Sequence, residues 1–210
     1  MAAIQVKPTR MELSNLKKRR QVAIRGHKLM KDKRDELVRR FIVSARRNRD
    51  LREEVERLLL TAMQAFVLAR AVMSEAEIEE ALLVPARAAN VNAGTQNVLS
   101  IRVPALSIEA AERSAYPYGF MTTSADLDGA VQQLAEVLPR LLELAEVEKT
   151  CSRLADEIEK TRRRVNALEY VMIPQFSETI RQIQMKLDEN ERSNTTRLMK
   201  TKEMLEQQRG

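Results

Sequence analysis

A mainly α-helical fold is predicted: a long antiparallel two-helix coiled coil with a small globular end that carries a short β-hairpin. Three observations predict it. From Thr9 to about Leu83, apolar residues recur three then four positions apart, with no proline between Pro8 and Pro85. A second series of the same spacing runs from Leu127 to Leu205. Turn-forming residues and proline gather in the stretch between them. A three-four spacing draws one narrow apolar stripe down a helix, and such a stripe is stable only when a second helix covers it. The expected division is a first arm over 1–83, a middle segment over 84–124 and a second arm over 125–210.

Composition agrees with a thin core. Aromatic residues are 3% and there is no tryptophan, while charged residues are 31%. Large aromatic side chains dominate the filling of thick cores, so their scarcity suits a seam two helices wide. Glycine (5) and proline (6) are both rare, the profile of long helices.

The first arm opens with Thr9-Arg10-Met11-Glu12, a capping-box sequence in which Thr9 and Glu12 satisfy each other's backbone amides. Pro8 discourages helix upstream of it. The stripe then passes through Leu13, Leu16, Ala23, Met30, Leu37, Phe41, Leu51, Val55, Ala62 and Ala69, and on to Val72, Ala76 and Leu83. At about 1.5 Å per residue, one helix over this stretch would be roughly 110 Å long. His27 falls on the stripe, and a lone histidine there reads as a hydrogen-bonded packing residue. Gly26 beside it reads as a tolerated defect in the helix, since glycine costs about 1 kcal/mol relative to alanine. From Leu58 to Met73, Leu59, Leu60, Met63, Phe66, Val67 and Leu68 lie off the stripe. A helix apolar around so much of its girth is expected to be buried by more than one neighbour.

In the middle segment, Asn90, Asn92, Gly94 and Asn97 read as turn residues. Val98 to Val103 alternates and predicts a strand ended by Pro104, paired with a weaker strand near Ala88 to Val91. Tyr116-Pro117-Tyr118-Gly119-Phe120 reads as an aromatic loop, either a docking surface or a cap on the globular end. Thr123-x-x-Asp126 offers a second helix-start signal. The second arm then shows Leu127, Val131, Leu134, Leu138, Leu141 and Ala145 on one face, with Pro139 expected to kink or break the helix near Val137 or Leu138. Beyond it the stripe runs through Cys151, Leu154, Ile158, Thr161, Val165, Leu168, Met172, Phe176, Ile180, Ile183 and Leu187 to Leu198 and Leu205. Three consecutive steps of four between Leu168 and Ile180 break strict heptad phase, and Pro174 lies inside the break. A bend or loosened turn is expected there.

Charge is unevenly placed. Residues 1–49 carry 16 Lys/Arg against 4 Asp/Glu, a net of +12, residues 50–130 carry a net of −6, and residues 131–210 are neutral. The basic first half of the first arm suits either a solvated face or acidic partner surfaces, where complementary charge guides docking. A nucleic-acid binder is a poor fit, because stacking aromatics are missing and the basic residues encircle the helix. No phosphate-binding loop, no C-x-x-C and no H-E-x-x-H is present. One histidine and one cysteine do not make a zinc site. Glu75, Glu77, Glu79 and Glu80 read as solvated rather than as general acids or bases. The expectation is a chain without an active site, cofactor or metal of its own. Cys151 has no partner for an intrachain disulfide, and with no signal peptide a reducing, cytoplasmic setting is expected. The most apolar uncharged run, Leu58 to Ala69, falls short of the roughly 20 residues of a membrane span.

Arg162-Arg163-Arg164 is the most distinctive charged cluster. Its members read as interhelical partners for Asp50, Glu53 or Glu54 and as contacts to acidic loops of a surrounding protein, and since three consecutive arginines cannot all face one neighbour, both roles are expected. Pro8-Thr9-Arg10-Met11-Glu12-Leu13, Gly26 through Lys33, and Glu159 through Tyr170 with Ile173-Pro174 together resemble the D subunit of the V-type and A-type rotary ATPases and ATP synthases. The resemblance covers both arms and little of 86–124. It implies the central rotor axle of a peripheral assembly on the cytoplasmic side of a membrane. The paired chain ends would enter the bore of a hexamer of alternating catalytic A and B subunits. A small companion, the F subunit, would bind at the side, and a membrane-side component would couple the other end to the ion-carrying ring. Arg10, Lys17 and Lys18 with Arg162, Arg163 and Arg164 are then the expected bore contacts, and Val38, Ile42 and Val43 the candidate face for the F subunit. The rival reading is a coiled-coil scaffold or tether that pairs as a parallel homodimer through the same stripe. Proton or sodium transport, and synthesis or hydrolysis, are set outside this chain.

Overall fold

The computed structural model describes residues 7–83, 89–110, 116, 118, 119, 121 and 123–207. Helix α1 spans Arg10–Val72, α2 Glu75–Leu82, α3 Ala125–Ala167 and α4 Ile173–Gln207, with a π-helical turn over Leu168–Met172 between α3 and α4. Strands β1 (Ala89–Val98) and β2 (Ile101–Ala110) form an antiparallel hairpin. The chain divides into two compact units, Met1–Asp35 with Glu159–Gly210, and Glu36–Ile158. Each is an antiparallel helix pair.

In the unit made of both chain ends, Leu16 packs with Phe176, Ile180 and Ile183, flanked by Leu13, Ala23 and Leu187. Arg10 pairs with Glu191, and His27 lies against Glu169, so numbers rise along α1 as they fall along α4. At the start of α1 the Thr9 hydroxyl accepts the Glu12 amide at 3.2 Å, one half of the predicted capping box, while the Thr9 amide donates to the Lys7 carbonyl at 2.9 Å instead of to the Glu12 carboxylate. Thr161 is buried on the stripe, and Thr179, also buried, donates its hydroxyl to the Gln175 carbonyl at 2.8 Å. Past Glu191 the expected stripe does not close: Leu198 is 71% and Leu205 54% exposed. Arg10 is the first residue of α1 and already reaches Glu191, so α4 beyond it has no α1 turn opposite.

In the other unit, Leu37 and Leu154 pack together, and farther along α1 Ala69 meets Leu127, which is again antiparallel. The single helix expected to reach Leu83 is two helices. Met73 leaves the helical path, and Ser74 starts α2 with a complete capping box: Ser74 Oγ accepts the Glu77 amide at 3.4 Å, and Glu77 accepts the Ser74 amide at 2.8 Å. These hydrogen bonds from Ser74 hold the Glu77 carboxyl below its usual value. The break turns Ile78 and Ala81 onto Ala69, Met73 and Leu127, while the expected stripe residues Val72, Ala76 and Leu83 are exposed. The [ST]-x-x-E signal at Ser74-Glu77 is present in the sequence, masked by an apolar phase that continues through it.

Helix α3 begins one residue later than the Thr123 signal implies. Ser124 accepts the Leu127 amide, and its own amide donates to the Met73 sulfur at 3.4 Å, tying the end of α1 to the start of α3. The α3 face that is buried runs through Leu127, Ala130 and Val137; Leu134, Leu138 and Leu141 are 38–40% exposed. At the level of Leu127, α1 offers the small buried residue Ala69, whereas Leu138 and Leu141 lie near the level of Glu54, which pairs with Arg140. Pro139 neither ends nor interrupts α3. Tyr118 caps the cluster around Ala69 and donates to Asp128 at 2.8 Å; its burial and that carboxylate push its hydroxyl pKa up. Pro117 and Phe120 of the aromatic loop lie outside the described residues.

The hairpin turns at Leu99-Ser100, where both residues have positive φ (53° and 70°), the backbone of a tight two-residue turn. The single strand expected over Val98 to Val103 is therefore the ends of two: Val98 closes β1 and Ile101 opens β2. The asparagines and Gly94 lie inside β1, and Ala88 lies outside the described residues. Pro104 does not end β2. With Val98–Ile101 as the hydrogen-bonded closing pair, Thr95–Pro104 is a non-hydrogen-bonded pair, so the missing N–H costs the ladder nothing. The turn end of the ribbon packs Ile101 and Val103 against Leu37 and Leu154, and Leu106 donates its outward amide to Glu146 at 3.0 Å.

Ser74→Ala removes the cap that divides α1 from α2. It should lower stability by about 1 kcal/mol, measured by chemical unfolding, with α2 amides losing hydrogen-exchange protection first. Unchanged α2 protection would mean that packing of Ile78 and Ala81, not the cap, sets the break.

Candidate partner-contact surface

The chemistry of this chain lies on its outer faces. Where apolar side chains meet across a two-helix seam, charged residues are left to flank it or to face solvent. In the unit Glu36–Ile158, Arg47 bonds Glu143 at 2.5 Å, Arg140 bonds Glu54 at 3.3 Å, and Arg52 pairs with Glu148. The Arg47 hydrogen bond draws the Glu143 carboxyl below its usual value. These flanking pairs fix lateral registry more than they stabilise, since exposed pairs are worth little individually.

The predicted contact residues fall into three groups. Arg10, Lys17 and Lys18 are exposed on the first turns of α1, and Glu191 raises the pKa of the Arg10 guanidinium through their hydrogen bond. Arg162, Arg163 and Arg164 are all exposed between the buried Thr161 and Val165. The acids expected to meet this triplet are engaged elsewhere: Glu54 with Arg140, and Asp50 and Glu53 with Arg49 on their own helix. Arg163 instead pairs with Glu159 one turn back. Arg162 and Arg164 have no acidic partner among the described residues. The salt-bridge reading of the triplet is thus corrected, and two outward guanidinium groups are left over. Val38 is half-buried, while Ile42 is 44% and Val43 68% exposed.

A further surface departs from expectation. Leu60, Met63, Val67 and Leu68, expected to be buried by several neighbours, are 49–64% exposed. Only Leu59 and Phe66 are half-covered. The seam has one partner on its inner side, and α2 covers only the Ala69–Met73 end, so the remaining apolar girth stays uncovered. Apolar surface of this kind marks a binding face. The signal is in the sequence, because an all-round apolar helix needs more neighbours than one chain of this length supplies.

Among the described residues no helix is long and apolar enough to cross a membrane. The sequence matches the family of the ATP synthase D subunit over residues 12–203. Similar proteins include the V-type ATP synthase D subunit of Acetivibrio thermocellus, 57% identical over 99% of this chain and 95% of that protein. The V-type ATP synthase D subunit of Thermoanaerobacter pseudethanolicus is 56% identical over 98% of this chain and 99% of its own. That of Clostridium botulinum strain Langeland is 56% identical over 97% and 96%.

Proposed function

Because this chain belongs to the ATP synthase D-subunit family, we propose that it is the central axle of a V-type or A-type ATP synthase, without an active site of its own. In this reading residues 1–83 and 125–210 are the two arms of the axle, and 84–124 is the segment that joins them. ATP turnover in a surrounding hexamer of A and B subunits is coupled through the axle to proton or sodium movement in a membrane ring. The complex sits on the cytoplasmic face of that membrane, and this chain does not enter it. Nucleic acid has no place in this role.

The observation that carries the reading is that the chain covers its own stripe. Leu16, Leu37, Leu51, Leu154 and Val165 are buried without a second copy. A scaffold that dimerises in parallel through the same stripe would have to expose these residues first. With the apolar seam satisfied internally, the basic residues and the apolar surplus are free for other components of the complex.

The mechanism follows from asymmetry. A rod whose Arg162 and Arg164 project from opposite flanks of the seam at one level presents a different face to each site of a ring with threefold repetition. Each site then binds nucleotide with an affinity that depends on axle angle, which is a coupling free energy between rotation and chemistry. Arg10, Lys17, Lys18 and the arginine triplet meet acidic loops of the bore. The Val38, Ile42 and Val43 face receives the F subunit, and the apolar surplus at Leu60, Met63, Val67 and Leu68 meets the membrane-side coupling component.

Replacing Arg162, Arg163 and Arg164 together by alanine should lower torque or assembly in the reconstituted complex while leaving the free chain folded. Unchanged ATPase rate and rotation would remove the triplet from the bore contacts. Separately, Ile42→Asp with Val43→Asp should weaken co-elution with the F subunit by about tenfold or more, as expected when an apolar contact is replaced by buried charge. Undiminished co-elution would place the companion on another face.

A further inference from the structure

The unit built from Met1–Asp35 and Glu159–Gly210 is unevenly packed along its length. It is tight at Leu16 with Phe176, Ile180 and Ile183, and Thr161 and Val165 are buried toward its other end. Between these levels the seam is thin. From Lys17 to Asp35 no residue of α1 is buried, and none is from Asn166 to Gln175 on the opposite side.

Three weak points coincide in this thin stretch. The first is the π-turn Leu168–Met172, none of whose residues is buried. The second is Pro174, which supplies no N–H. In an α-helix the Ile173 amide would serve the Glu169 carbonyl and the amide of residue 174 would serve Tyr170. Here the Ile173 amide bonds Leu168 instead, and proline has none to give. Two successive carbonyls, on the exposed residues Glu169 and Tyr170, therefore lose their regular helical donors. The wider turn also relieves the clash between the proline ring and the preceding turn. The third is Gly26, inside the unbroken helix α1. The His27 Nε2 lies 3.3 Å from Glu169 Oε2, which sets Gly26-His27 level with the π-turn. A Cβ added at Gly26 would meet nothing within 4 Å. No close contact requires glycine there, so what it contributes is a looser helix.

We infer that Gly26-His27 and Leu168–Met172 together form a compliant joint, the level at which this helix pair bends and twists. Both helices are weakened at one height, the apolar seam is interrupted at that height, and the His27–Glu169 contact spans the gap as a polar link. Such a device localises deformation where the fewest backbone hydrogen bonds and buried contacts resist it. Its use as an elastic element during rotation rests on the axle reading; its existence does not.

The test uses the full chain alone. Hydrogen exchange should be about tenfold faster at Tyr170–Ile173 than at the flanking stretches Arg162–Val165 and Thr179–Ile183. In a Cys151→Ser background, spin labels at Lys160→Cys and Lys186→Cys report the distance across the joint. Adding Gly26→Ala and Pro174→Ala restores regular helix on both sides, which should slow exchange at the turn to the flanking level and narrow the distance distribution. Gly26→Ala alone, at a position with open space for the methyl group, should give part of the narrowing. Uniform exchange would overturn the joint. So would fast exchange with a distribution that the substitutions leave equally broad, because the turn would then be frayed without being a hinge. Neither readout involves nucleotide or partner, so the joint and the axle reading fail separately.

Discussion

Everything in this chain depends on covering one narrow apolar stripe. Leu16, Leu37, Leu51 and Leu154 are essentially excluded from solvent, and each such burial is worth about 1.5–3 kcal/mol. Among the described residues no thick core supplements them. A seam one side chain wide has no second layer, so whatever interrupts it is felt at once. Where α1 runs out at Arg10, the α4 stripe is bare from Leu198 onward. Where the α1 stripe meets Met73, a capped break redirects the chain to find cover from Ile78 and Ala81.

The same constraint sorts the rest of the surface. Charged residues beside the seam pair across it, as Arg47 with Glu143 and Arg140 with Glu54. Arg162 and Arg164 flank the seam at Thr161 and Val165 but meet no acid among the described residues, and they remain outward. Apolar residues in excess of what one partner helix can cover are left exposed at Ile42, Val43, Leu60, Val67 and Leu68. Function, in the axle reading, is carried by this remainder. Within each unit the seam covers the stripe from the same chain, and in that reading the leftover charge and apolar surface are what the rest of the complex grips.

Much of the fold is legible in the sequence because a three-four pattern is a direct image of one helix face. The α1 stripe from Leu16 to Ala69, the Thr9 cap, Thr161 on the seam and the loosened turn at Leu168–Met172 all follow from spacing alone. The departures share a cause. Periodicity locates a face but not the partner that covers it, nor how much room that partner leaves. Hydrophobicity favours leucine over alanine as the α3 seam residue, whereas Leu127, Ala130 and Val137 are the residues buried and Leu134, Leu138 and Leu141 sit at the edge of the seam. Turn propensity points to asparagine and glycine, whereas the hairpin turns at Leu99-Ser100, two residues of no strong turn preference held there by packing of Val98 and Leu99 beside Leu37 and Leu154. Among the candidate contact residues, the arginine triplet lies outside the seam as its spacing implies, but not with the acids that charge alone suggests, because pairing across helices is fixed by register.

Antiparallel pairing within a single chain is the central claim. Its most direct measurement is disulfide capture in a Cys151→Ser background carrying Arg10→Cys and Glu191→Cys, oxidised at low protein concentration and run without reductant. Self-pairing predicts a fast, intramolecular bridge and a monomer of altered mobility. Disulfide-linked dimers in place of the intramolecular bridge would mean that the stripe is covered by another molecule and that the chain does not make its own shaft.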